Sequence, residues 1–119
     1  MAAFANLYID QGSNFTSTVT VEDSNDNLVN ITNYTTRGQV RKSYSASTAT
    51  NFTTTITDAT NGEFTIALSR TQTGALKAGR YVYDVEVISP TGVVTRVVEG
   101  QVTVTARVTQ PDDYSPGYG

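Results

Sequence analysis

Asp84 and Glu86 stand two residues apart in Tyr83-Asp84-Val85-Glu86-Val87, the spacing that puts both carboxylates on one face of a strand. A pair held that way could flank a glycosidic bond as acid and base. That chemistry needs a carboxyl with a raised pKa, and nothing nearby in the sequence supplies one, so an exposed acidic strand face is the simpler reading. Asp112-Asp113 offers too few oxygens for calcium, which takes about six to eight. Ser69 and Thr71 have no base to activate a hydroxyl, because the chain has no His. It also lacks Cys and Trp, which removes thiol nucleophiles, disulfides and thiolate metal sites. Asn14, Asn30, Asn33 and Asn51 each open an Asn-x-Thr triplet, a product of an Asn- and Thr-rich chain. The glycines are scattered and build no phosphate loop. The expectation is a protein that is not an enzyme and carries no cofactor and no metal.

Charge narrows the partners. The formal net charge is −3 and the isoelectric point about 4.7. Arg37, Arg41 and Lys42 form the sole basic cluster, which a solvated strand edge accounts for, so nucleic acid is not an expected ligand. No run approaches the roughly 18 apolar residues of a membrane span, and residues 1–6 lack the basic and long apolar regions of a signal peptide. No membrane partner and no secretion are expected.

Thr and Ser make up about a quarter of the residues, and Thr with Val dominates the regular stretches. β-Branched residues suit a pleated surface better than a helix. Residues 15–22 alternate, with Phe15, Val19 and Val21 on one side and Thr16, Thr18 and Thr20 on the other. Ser24-Asn25-Asp26-Asn27 is a turn signal before a second apolar piece at residues 28–31. Alternation returns at residues 34–41, with Arg37, Gln39 and Arg41 facing water. Residues 42–50 are a loop or a polar strand. Residues 51–57 and 63–68, with Phe52, Ile56, Phe64, Ile66 and Leu68 inward, flank Asn61-Gly62 as a hairpin. Ser69 caps a short helical turn over residues 70–76. The clearest strand is residues 80–89, with Tyr81, Tyr83, Val85 and Val87 on the core side.

Pro90-Thr91-Gly92 fixes the next turn, because Pro cannot take the positive φ of a primed turn. A type I turn with Gly92 as a left-handed bulge follows. Ser89 then faces Val93, Val87 faces Thr95, and Glu86 meets Arg96 as a cross-strand ion pair worth about 0.2–1 kcal/mol. Gly100 marks a bend or bulge at which the last strand crosses to another sheet. Seven to eight short strands with turn signals about every 8–12 residues describe one antiparallel, immunoglobulin-like β-sandwich. It occupies residues 1–109, with an N-terminal arm at 1–10 and an extended C-terminal arm at 110–119.

Gly79, Tyr81, Tyr83 and Asp84, then Gly92, then residues 97–104 reading Val-Val-Glu-Gly-Gln-Val-Thr-Val, then Val108-Thr109, follow in order a motif series. In it the segment resembles phage tail and baseplate domains related to the N-terminal domain of the baseplate upper protein. Residues 9–12 and 29–41 resemble the family's opening strand and its Leu-Thr-Gly segment, with Asn33 where Gly is expected. The resemblance implies a non-enzymatic virion β-sandwich, made in the host cytoplasm, that binds other virion proteins and copies of itself. It further implies structural roles for Gly79, Gly92 and Gly100 in backbone angles and for Tyr81 and Tyr83 in packing. A tail or baseplate position is expected first and decoration of the capsid exterior second.

The expected partner interface is Tyr8, the mixed face of Val82, Ile88, Val94 and Val98, and Tyr114 and Tyr118. A reading of another class is a carbohydrate-binding adsorption module using exposed Tyr, among them Tyr44.

Overall fold

A computed structural model describes residues 3–108. The strands are β1 (Ala3–Phe4), β2 (Leu7–Asp10), β3 (Phe15–Thr20), β4 (Thr35–Arg41), β5 (Thr50–Asn51) and β6 (Thr53–Asp58). After them come β7 (Glu63–Leu68), β8 (Gly79–Ile88) and β9 (Val94–Thr105), with one short helix, α1 (Arg70–Ala75), between β7 and β8. The chain is all-β, in two sheets. The larger runs β1-β9-β8-β4-β5, with β2 also on β9, and the smaller runs β3-β7-β6.

The alternation read in the sequence decides what faces inward. Phe64, Ile66 and Leu68 of the smaller sheet meet Val40, Val85 and Val102 of the larger one in a single buried cluster. Full burial of each such side chain stabilises by about 1.5–3 kcal/mol. Tyr81 and Tyr83 are buried as expected. The Tyr81 hydroxyl donates to Lys77 O at 2.7 Å, and the Tyr83 ring meets Phe52 edge-on, 6.1 Å between centroids. The β8–β9 turn also has the expected geometry. Gly92 has φ +91°, Ser89 N donates to Val93 O at 2.9 Å, and Val87 faces Thr95. Gly79 opens β8 at φ +143°, and Asn33, where glycine was expected, is one of two non-glycine residues with positive φ among the described residues, at +67°. A short amide side chain tolerates that region.

Phe52 lies between β5, which pairs with β4, and β6, which pairs with β7. The segment therefore changes sheets at that residue, and Phe52 N donates to Gly38 O at 3.0 Å. Thr54 reinforces the crossing, donating from Oγ1 to Thr36 O at 3.0 Å. Helix α1 is closed by a capping box: Ser69 Oγ accepts from Gln72 N at 3.2 Å, and Gln72 Oε1 accepts from Ser69 N at 2.9 Å.

Three expectations are corrected. Residues 3–10 are not an arm but β1 and β2, paired parallel to β9 with Ile9 only 1% exposed. Gly100 is neither bend nor crossing, since β9 runs unbroken through it. Its missing side chain instead admits the Ala5 carbonyl, with which a Cβ would collide. The Tyr83 hydroxyl donates to that same carbonyl oxygen at 2.7 Å, and Asn6 Oδ1 accepts from Gln101 N at 3.1 Å across the gap between β1 and β2. The bulge sits at Val97, where the register slips between the Val85 and Glu86 pairs. That slip turns Val98 into the core at 9% exposure, so Val98 is no surface residue. The arm at 110–119, with Tyr114 and Tyr118, lies outside the described residues.

Candidate functional site

The outward side chains of the larger sheet form a grid fixed by register. One row is Arg96, Glu86 and Arg37; the next is Phe4, Glu99, Asp84, Gln39 and Asn51; the next is Gln101, Val82 and Arg41. Where these strands twist past one another and the loop carrying Tyr44 rises beside them, the face is hollow, with a volume of about 680 Å³. Tyr44 is 83% exposed at its rim.

Charge in the hollow is balanced. Glu86 and Arg96 do face each other in register, but the expected ion pair does not form. Glu86 Oε1 accepts instead from Arg37 Nε at 2.8 Å, and Arg96 turns to Asp84 at 3.4 Å and Glu99 at 3.5 Å. The reason is the third strand: β4 delivers Arg37 opposite Glu86, while the Val97 bulge brings Arg96 within reach of the Asp84 row. Arg41 donates to Ala46 O at 2.6 Å and to Gln39 Oε1 at 3.0 Å, and Gln39 Nε2 donates to Asn51 Oδ1 at 2.8 Å.

Burial raises the Asp84 carboxyl above its ordinary value, against the pull of Arg96 and with help from Glu86 and Glu99. The expectation that nothing here would raise a carboxyl therefore fails at Asp84. Among the described residues no group of three or more His, Cys, Asp or Glu is placed to hold a metal ion, and no helix is long and apolar enough to cross a membrane.

Among the described residues, the expected interface positions do not form one patch. Tyr8 and Phe4 are each 72% exposed along the β1–β2 edge. Val82 is separated along β8 from Ile88 by Asp84 and Glu86, and Val94 pairs with Ile88 at the far end of the sheet. Sequence reasoning missed Arg37 as the partner of Glu86, and the joining of Tyr44, Gln39 and Asn51 to the acidic face. The water-facing phase of residues 34–41 was legible; its pairing with a strand 49 residues away was not.

The second sheet turns a different surface outward. Thr16, Thr18 and Thr20 on β3, Thr65 on β7, and Thr53, Thr55 and Thr57 on β6 fill most of its outer positions. β3 and β6 are its two edges.

The fold and these surfaces thus define a two-sheet all-β domain with a charged hollow on one sheet and a threonine-rich face, bearing Glu63, on the other. No family model and no curated protein matches the chain. Among solved structures it is similar to an internalin-like protein of Listeria monocytogenes, at 21% identity and a TM-score of 0.43, over 87% of this chain and 28% of that one. It is also similar to a family 123 glycoside hydrolase from Clostridium perfringens, at 15% identity and a TM-score of 0.40, over 91% of this chain and 24% of that one. The chain spans about a quarter of the length of each.

Proposed function

We propose that this chain is a non-enzymatic structural module of a phage virion, an immunoglobulin-like β-sandwich of the tail or baseplate that binds neighbouring virion proteins and copies of itself. The motif series from Gly79 to Thr109 supports the family. The strand orders β3-β7-β6 and β4-β8-β9 support the immunoglobulin-like description, since they match the B-E-D and C-F-G orders of that fold.

The observation that carries the assembly role is the state of the sheet edges. β3 reads Phe-Thr-Ser-Thr-Val-Thr, with no charge and no Pro, and lies at the open edge of its sheet. Proteins that stay apart guard such edges with Lys, Pro or bulges, because the unpaired backbone groups are a template for another strand. On the other edge, β6 carries a single charge, Asp58, at its bulged end. Phe4 and Tyr8 add exposed aromatic surface along β1 and β2, suited to burial against a neighbour.

Light scattering of the full chain across a concentration series tests this. A defined oligomer is expected, and Thr18→Lys, which places a charge outward on β3 without touching the core, is expected to lower its mass with the circular dichroism spectrum unchanged. A monomer at every concentration, or an oligomer indifferent to charges at both Thr18 and Thr55, overturns self-assembly through these edges.

A further inference from the structure

The hollow on the larger sheet is distinct from the edges invoked for assembly, and its chemistry stands apart from that reading. Its volume of about 680 Å³ falls within the roughly 300–1,000 Å³ of small-ligand sites. Three guanidinium groups, Arg37, Arg41 and Arg96, stand with three carboxylates, Asp84, Glu86 and Glu99. An ionic ligand of either sign meets as many like charges as opposite ones. An apolar ligand would strip water from all six, which is costly.

Hydrogen-bond capacity of both kinds is left over in the hollow. Arg41 spends one nitrogen on Ala46 O and another on Gln39, and the Gln39 amide is spent on Asn51. The carboxylates are only partly occupied. Glu86 and Glu99 are each engaged through Oε1, and Asp84, with a side chain 40% exposed, has only Arg96 at 3.4 Å. Arg37 is engaged only through Nε and Arg96 through Nε and Nη1. Guanidinium N–H groups thus stay unspent beside carboxylate oxygens, and a fitting ligand both donates and accepts hydrogen bonds and carries no net charge. A peptide strand does not meet the need, because the floor is a sheet face whose backbone groups are already paired between β4, β8 and β9. Tyr44 presents an exposed ring at the rim, and a ring face accepts the C–H side of a saturated ring while the floor takes its hydroxyls.

We propose that this hollow binds a neutral carbohydrate, whose hydroxyls donate to Asp84, Glu86 and Glu99 while the Tyr44 ring covers one sugar face. Neighbouring hydroxyls of a sugar ring can engage a carboxylate and a guanidinium together, which is the pattern the grid alternates.

The test is a titration of the full-length, ¹⁵N-labelled protein with cellotriose, maltotriose and triacetylchitotriose, with sialyllactose as the charged counterpart. Saturable shifts centred on residues 37–41, 82–86 and 96–99 are expected for at least one neutral trisaccharide, at millimolar affinity or tighter, with sialyllactose weaker. Tyr44→Ala, which removes a side chain exposed to solvent, and Asp84→Asn are each expected to weaken binding by about tenfold, the equivalent of roughly 1.4 kcal/mol. The proposal is overturned if no neutral trisaccharide gives saturable shifts at tens of millimolar, if the shifts centre elsewhere, or if binding survives both substitutions.

Discussion

Replacing Tyr83 by Phe removes one hydroxyl and keeps the ring that packs on Phe52, so its effect isolates what that hydroxyl does. At neutral pH it donates to Ala5 O at 2.7 Å, and loss of such a bond costs about 0.5–1.5 kcal/mol. Burial also pushes the phenol up to about 12 from an ordinary value near 10. The folded state therefore holds its proton to higher pH than the unfolded chain does. Below about pH 10 both states are protonated and the phenol adds no pH dependence; between about 10 and 12 only the unfolded chain releases the proton, so stability falls as pH rises. The fall is about 1.4 kcal/mol per pH unit, or at most about 2.7 kcal/mol across the window. The Phe variant is thus expected to be less stable by about 1 kcal/mol at pH 7. It should become the more stable protein above roughly pH 11, where the ionisation penalty exceeds the lost bond. Urea denaturation followed by circular dichroism at pH 7, 10, 11 and 12 measures both limbs, and taking the difference cancels every other titrating group. Parallel stability profiles for the two proteins would refute the reasoning.

Other expectations follow from the same geometry. Gly100→Ala drives a Cβ into the Ala5 carbonyl, and amides of residues 3–6 should lose hydrogen-exchange protection together with about 1–3 kcal/mol of stability. Ser69→Ala breaks the capping box and should lower stability by about 0.5–2 kcal/mol in urea titrations. Because the Asp84 carboxyl is raised in the folded state, its ionisation opposes folding. Stability lent by the protonated form is present at low pH and is lost as pH rises from the unfolded value through the folded one. Asp84→Asn should remove that loss and leave thermal stability at pH 7 equal or higher, as read by scanning calorimetry.

What was legible in the sequence is what depends on near neighbours. The two-residue period placed Tyr81, Tyr83, Val85 and Val87 inward, and Pro90 and Gly92 fixed the register of the hairpin, since turn chemistry acts over a few bonds. The failures are non-local. Leu7-Tyr8-Ile9-Asp10 alternates over too few residues to separate a strand from an arm, and its partner lies 95 residues away. The Val97 bulge follows from how β9 must fit both β8 and the N-terminal strands, so no residue in Thr95-Arg96-Val97-Val98 announces it. Gly100 was rightly singled out but for the wrong reason: a glycine in a strand marks a bend or a close backbone approach, and only the position of Ala5 decides between them. The hollow needed four strands and a loop at once, so its residues were visible singly but not as a site.

The parallel pairing of β1 and β2 with β9 bears on how the domain carries load. Ala3 lies beside Val98 and Asp10 beside Thr105, so tension applied through residues 3 and 108 pulls the two strands past each other along their length. Force in that direction strains the whole ladder in shear, and its evenly spaced bonds yield together; an antiparallel terminal pair would unzip bond by bond. The Tyr83 and Asn6 contacts add side-chain pins across the same seam. The N-terminal strand is thus a mechanical clamp, and the force at which the domain gives way is set by the rate of rupturing that seam.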